Sequence, residues 1–358
     1  MNKFKRWAKR FNKHLEQKTT QKKLLRVLGI LVLVWLISCW LLIWNYQNKY
    51  RNTPTEFGVS FSTKYSTDLG LNWQENYHAL IDDLDVNFIR VMSYWDTIEK
   101  HPNDFNYDNL DYQFDYAAQK GVKLSLVLGE RQPRWPECHT PEWANTLEKE
   151  EFKSELLSFI ERTVLRYKDH PALENYQLEN EFANQLFGEC SGYDRERLQE
   201  EFNLVKSLDP RHDVIINASN QSGIPLREPI GDKVGFSIYK RAHYPLGDSV
   251  NMWHFFYVPN WWHTLRASLV EFIHNKPTFV HELQAEPWGP KETYNLSLEE
   301  QAETMDPQKL VEIVGFAEST GMSRIYLWGG EWWYWRMVEF DDPSLWNTVK
   351  ALKLKYEN

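Results

Sequence analysis

The chain has 358 residues, 25% of them charged and 42% hydrophobic, enough for a sizeable core in one large α/β domain or two smaller ones. Aromatic residues make up 15%, with 17 Trp, too many for a disordered chain. Nine Lys/Arg against Glu16 alone give residues 1–23 a charge of +8, so −17 remains on the rest of the −9 chain, and that acidic body argues against a nucleic-acid partner.

Directly after the basic tail, Val27 to Trp44 is an 18-residue run without a charge. As a helix it extends roughly 27 Å, close to the hydrocarbon thickness of a bilayer. Trp40, Trp44 and Tyr46 suit an interfacial belt at its outer end. The reading is a signal-anchor span over residues 24–46, with the lipid bilayer as partner. The Lys/Arg excess before it predicts a single-pass protein of the cell membrane, its N-terminal tail (residues 1–23) cytoplasmic and its body outside. The alternative is a cleaved signal peptide, but the run exceeds an h-region of about 7–15 residues and lacks an A-x-A-like site. A buried core helix would need a polar face, and there is none. A polar linker follows over 47–55, and the body occupies 56–358. Of three cysteines, Cys39 lies in the apolar run and Cys138 and Cys190 in the body. Outside the cytoplasm the latter two are able to form a disulfide, and free thiols are equally compatible with the sequence. No CxxC pattern suggests a metal site.

Within the body, strand-like segments fall at 57–62, 86–93, 122–129, 174–179, 213–219, 233–239, 277–282 and 323–329. Helical patterns alternate with them at 72–84, 109–121, 150–167, 195–208, 260–274, 307–321 and near 343–355. Eight strands alternating with helices predict a (β/α)8 barrel. An open doubly wound sheet usually carries a Gly-rich phosphate turn after its first strand, and "FSTKYSTDLGLNW" contains no G-x-G-x-x-G.

Active sites of such barrels lie at the C-terminal ends of the strands. Those ends offer Arg90, Tyr94 and Trp95; Glu130, Arg131 and Trp135; Glu179, Asn180 and Glu181; Tyr239; Glu282 and Glu286; Trp328 and Glu331. Carboxylates after strands four and seven are placed to converge across the barrel mouth. A separation of about 5–5.5 Å suits a retaining glycosidase, with one nucleophile and one acid/base. The nucleophile must stay ionised, so donors such as Arg90 and Tyr239 suit it; the acid/base needs an environment that raises its pKa. The bland readings are a helix cap or surface charge for a lone strand-end carboxylate, which fits Glu179 best, and a structural ion pair for Arg90. Trp95, Trp135 and Trp328 are candidate sugar platforms and Glu331 a candidate sugar ligand. His281 is read as structural. "HELQA" lacks the second His of the zinc-protease H-E-x-x-H, because Ala285 stands in its place.

From about Gly58 to Trp346 the chain resembles the clan A glycoside hydrolases, the (β/α)8 superfamily that includes cellulase-like family five and the β-galactosidases of family forty-two. "HPALENYQLENEF" is similar to their fourth strand, whose Asn-Glu pair implies Asn180 beside the acid/base Glu181. "PTFVHELQAEPWG" is similar to their seventh strand and implies Glu282 as nucleophile, with Glu286 a nearby rival. "FSIYKR" implies Tyr239 as the tyrosine that touches the nucleophile, and "RIYLWGGEWW" implies Trp328 as platform. The third strand ends in "LGERQPRWP" and lacks the His usual in family five. The resemblance implies a retaining hydrolase of β-linked oligo- or polysaccharides that needs no cofactor. A catalytically inactive glycan-binding barrel and a transglycosylase with the same two Glu are the alternatives.

Overall fold

The computed structural model describes residues 2–184, 187–190, 193–220, 223–246, 249–254 and 258–356. Two compact units divide the chain, Met1–Lys49 and Tyr50–Asn358.

The first unit is built from one helix, α1 (Asn2–Tyr50), which runs through the expected tail and span and into the first residues of the expected linker. Its segment Lys22–Tyr50 is long and apolar enough to cross a membrane, and Leu24 to Leu36 expose their side chains all round. The side chains of residues 1–21, most of the expected basic tail, lie outside the described residues.

The second unit is a closed eight-stranded parallel barrel wrapped by helices. In chain order it runs β1 (Glu56–Phe61), α2 (Thr63–Asp68), α3 (Trp73–His78), β2 (Phe88–Met92), α4 (Trp95–Ile98), α5 (Asp108–Lys120), β3 (Lys123–Leu128), α6 (Lys149–Tyr167), β4 (Leu173–Leu178), α7 (Arg195–Leu208), β5 (Asp213–Ala218) and β6 (Lys233–Ile238). A hairpin of β7 (Arg241–Leu246) and β8 (Ser249–His254) follows, then α8 (Asn260–His274), β9 (Thr278–Gln284), α9 (Leu298–Thr304), α10 (Pro307–Glu318), β10 (Arg324–Trp328), α11 (Gly330–Glu339) and α12 (Ser344–Tyr356). Around the barrel the order is β1-β10-β9-β6-β5-β4-β3-β2. All eight expected strands are present. The hairpin is an addition that sequence reasoning did not anticipate.

The barrel strands read as nearly continuous apolar runs because both of their faces are covered. Val59, Ile89, Leu126, Tyr176, Val234 and Val280 are all buried. The helices start and stop where the sequence supplies caps. The Asp194 carboxylate accepts from the first-turn amides of α7, Asp306 precedes Pro307 at the start of α10, and Gly121 closes α5 in the left-handed conformation. Trp95, Trp332, Trp333 and Trp346 fill space inside the body and are fully buried.

One glycine in the wall is dictated by close approach. Gly235 on β6 faces His281 on β9, and a β-carbon there would stand 2.4 Å from the His281 β-carbon. His281 fills that space between Phe279 and Tyr326, the structural role expected for it. Overpacking a rigid wall costs about 1–3 kcal/mol. Gly235→Ala should lower stability by that order in thermal or denaturant unfolding of the full chain, and an unchanged midpoint would contradict this packing.

Candidate active site

Strand β4 ends at Leu178, and the chain then turns twice through left-handed backbone, at Glu179 (φ 52°) and Glu181 (φ 43°). Such positions cost of order 1–3 kcal/mol in non-glycine residues and persist where the surroundings fix them. The two turns send neighbouring carboxylates to different places.

Glu179 is neither a helix cap nor a surface charge, as the sequence suggested. It is fully buried, and its carboxylate accepts from the amides of Glu130 (3.1 Å) and Arg131 (2.5 Å) and from Arg197 Nη2 (3.4 Å). Gly129 makes room, since a β-carbon there would sit 2.6 Å from the Glu179 carboxyl. Burial raises the Glu179 pKa to about 7, with the Arg197 charge opposing. Arg197 also holds Glu130 at 2.6 Å and Glu201 at 3.2 Å, so this is an internal ion cluster.

Asn180 and Glu181 instead line a cavity of about 630 Å³ at the strands' C-terminal ends, together with Tyr239, Glu282, Trp328, Trp135 and Glu286. Arg90, wholly buried, organises its floor. Nη1 donates to Glu282 Oε2 at 2.6 Å, Nη2 to Asn180 Oδ1 at 2.7 Å, and Nε to Gln177 Oε1 at 2.6 Å. Tyr239 donates its hydroxyl to the other Glu282 oxygen at 2.5 Å. The Glu282 carboxylate thus receives one short donor on each oxygen, one of them cationic.

Glu181 sits in a different environment. Ser237 donates to its Oε1 at 2.5 Å and Asn184 to its Oε2 at 3.0 Å, with no cation within ion-pair distance among the described residues. Burial and the Glu282 charge push its pKa up, against these hydrogen bonds. The cavity therefore holds one carboxyl paired with a cation and one biased toward the acid.

The aromatic candidates divide. Trp135 is 54% exposed at the cavity rim, edge-on to Phe187 at 5.7 Å. Trp328 lines the cavity but is 7% exposed, because the Arg134 guanidinium lies 4.1 Å over its ring and 3.6 Å from the Tyr65 ring. Arg134 is held there by Glu286 and by Glu331 at 3.1 Å, so the Trp328 face expected to be an open platform carries an internal cation. Glu331 accepts from the Ser62 amide at 2.5 Å and lies behind the wall, outside the cavity lining. Trp95 is also absent from the lining: it is fully buried against Trp143, Phe152 and Phe159, with Nε1 on Glu99 at 2.7 Å. Its place at the start of α4, one residue past Tyr94, turns it into the helix layer. The rival Glu286 is tied to Arg134 and to Trp328 Nε1 (2.8 Å), and burial raises its pKa to about 7.

Sequence reasoning missed Glu137, Arg134 and Trp288, all in the cavity wall. Trp288 packs edge-on to Tyr239 at 5.2 Å. Cys138 and Cys190 form a disulfide that ties the loop after β3 to the loop after β4. Among the described residues no cluster of His, Cys, Asp or Glu has the arrangement of a metal site.

No protein-family model matches the chain, and no curated protein matches it in sequence. Solved structures do match its fold. They include an exo-β-1,4-mannosidase from Opitutaceae bacterium strain TAV5 (TM-score 0.57, 13% identity, 85% of this chain and 60% of that one). Xylanase 10B from Thermotoga maritima matches with TM-score 0.52 and 15% identity over 87% of this chain and 98% of that one. A β-galactosidase from Halorubrum lacusprofundi matches with TM-score 0.51 and 13% identity over 76% of this chain and 52% of that one. The chain spans about half the length of the β-galactosidases it matches. These neighbours are clan A glycoside hydrolases, and at such identities the likeness is one of fold.

Because the Glu282 charge contributes to the raised Glu181 pKa, Glu282→Gln should move the Glu181 titration toward the ordinary carboxyl value. Carbon-13 NMR of labelled Glu side chains reads this directly, and a Glu181 titration unmoved by the substitution would contradict the coupling.

Proposed function

We propose that the chain is a retaining β-glycoside hydrolase held at the cell membrane by the span at residues 24–46, with the barrel on the outer side. The observation that carries the catalytic reading is the divergence of two carboxyls over one cavity: Glu282 held between Arg90 and Tyr239, and Glu181 buried on the neutral donors Ser237 and Asn184 and shifted toward its acid form. In this reading the Glu282 carboxylate attacks the anomeric carbon, forming a C–O bond. The bond to the leaving oxygen breaks as that oxygen takes the Glu181 proton. A water molecule then gives its proton to the Glu181 carboxylate, its oxygen bonds the anomeric carbon, and Glu282 departs. Asn180, fixed by Arg90, reaches the substituent on the neighbouring ring carbon, and Trp135 offers a sugar platform at the rim. Fold neighbours named as a mannosidase, a xylanase and a β-galactosidase support the reaction class. The Cys138–Cys190 disulfide supports a compartment outside the cytoplasm, and the +8 charge of residues 1–23 supports an inward N-terminus.

Glu282→Gln should retain the fold and lose turnover on every glycan that wild type cleaves. Glu181→Gln should lose about 10²–10⁴-fold on glycosides with poor leaving groups, and much less on aryl glycosides whose leaving group needs no proton. Steady-state kinetics on both substrate classes checks this; equal losses on the two would remove Glu181 from the acid role.

A further inference from the structure

Glu137 is a further carboxyl in the cavity, and the two-carboxyl reaction has no use for it. It lies in the loop after β3, beside the disulfide, with 5% exposure, and lines the cavity with Glu181 and Glu282. Its loop is firmly seated. Gly188 packs against it so closely that a β-carbon there would stand 2.7 Å from the Glu137 β-carbon.

Its partner is the informative feature. Asn180 Nδ2 donates to Glu137 Oε2 at 2.9 Å. Asn180 Oδ1 is already taken by Arg90 Nη2 (2.7 Å), Gln177 Nε2 (3.3 Å) and Asn217 Nδ2 (3.3 Å). The side chain placed to meet the substituent next to the anomeric carbon therefore presents that substituent with a carboxyl at its side.

Three cations of the cavity region are already paired. Lys64 is paired with Asp96, Arg134 with Glu286 and Glu331, and Arg90 with Glu282. The charged groups facing Glu137 are Arg131 from its own loop, Glu181 after β4 and Glu282 on β9. Arg131 approaches only to 3.8 Å and spends its donors on the carbonyls of Asn180 (2.6 Å) and Phe187 (2.8 Å). Burial and the two other carboxyls raise the Glu137 pKa to about 8, with Arg131 opposing. A cation brought beside it would relieve that repulsion and ionise it.

We propose that Glu137 determines specificity by receiving the ammonium group of a 2-amino-2-deoxy sugar in the subsite where the bond is cleaved. The inference rests on the glycosidase reading, which places Asn180 at that ring carbon. A charge-assisted hydrogen bond at a buried site is worth about tenfold or more in affinity.

Calorimetry on the full chain at pH 6, where the sugar amine is largely protonated, with β-1,4-linked glucosamine tetramer and β-1,4-linked glucose tetramer as probes, tests it. The glucosamine oligomer should bind about tenfold more tightly and release a proton, seen as heats that vary with buffer. Glu137→Gln should erase both the preference and the proton release, and Glu137→Asp should keep them. No preference, a preference that survives Glu137→Gln, or no binding of either probe overturns the proposal. Parallel assays of cleavage separate the two ideas. Cleavage of the glucose oligomer without a glucosamine preference sinks the Glu137 role and leaves the glycosidase reading standing. Glu137-dependent binding with no glycan cleaved sinks the glycosidase reading instead.

Discussion

The site depends on one buried cation. Arg90 rises from β2 into the barrel and is wholly enclosed, so its charge must be compensated inside the protein. Its guanidinium donates to Gln177 from β4, to Glu282 from β9 and to Asn180 just past β4, and lies 3.5 Å from Ser60 Oγ on β1. One planar group thus ties four sectors of the barrel together and places an anion and an amide at fixed positions over the cavity. Removing a partner from a buried pair strands the other charge at a cost of about 3–5 kcal/mol, so the constraint that shapes the site also discourages its drift.

The difference between the two carboxyls follows from that constraint. With Arg90 committed to Glu282 and Tyr239 closing the other oxygen, Glu181 is left with neutral donors and a like charge across the cavity. Burial acts likewise on Glu137 and Glu286, which are also pushed toward their acid forms, to about 8 and about 7, with neighbouring carboxylates adding to it. The cavity is therefore crowded with carboxyls, of which Glu282 is the one that Arg90 pairs with directly.

Much of this was legible in the sequence. The barrel strands have both faces covered, so they announce themselves as apolar runs, and the carboxyls at the ends of β4 and β9 fall where a barrel places its chemistry. Arg90 and Tyr239 could be named as donors because their strand positions put them beside Glu282. What failed was contact across loops. Trp95 and Trp328 lie close to strand ends, yet one turns into the helix layer and the other is capped by Arg134, a residue 194 positions earlier in the chain. Glu179 was misread because its backbone turn and its Arg197 partner exist only in three dimensions. The hairpin left a fainter trace: two polar-apolar runs around Gly247 and Asp248, a turn-like pair whose own placement lies outside the described residues. Glu137 left none, since a Glu between Pro136 and Cys138 in a loop has no periodicity to betray it.

In the proposed reaction Glu282 forms a bond to the sugar while Glu181 serves first as acid and then as base. Proton NMR of the products during the first turnovers on a β-linked substrate tests it most directly. A double displacement releases the new sugar in the β configuration, which mutarotates only afterwards; first appearance of the α anomer would mean a single inverting displacement and would overturn the two-step reaction.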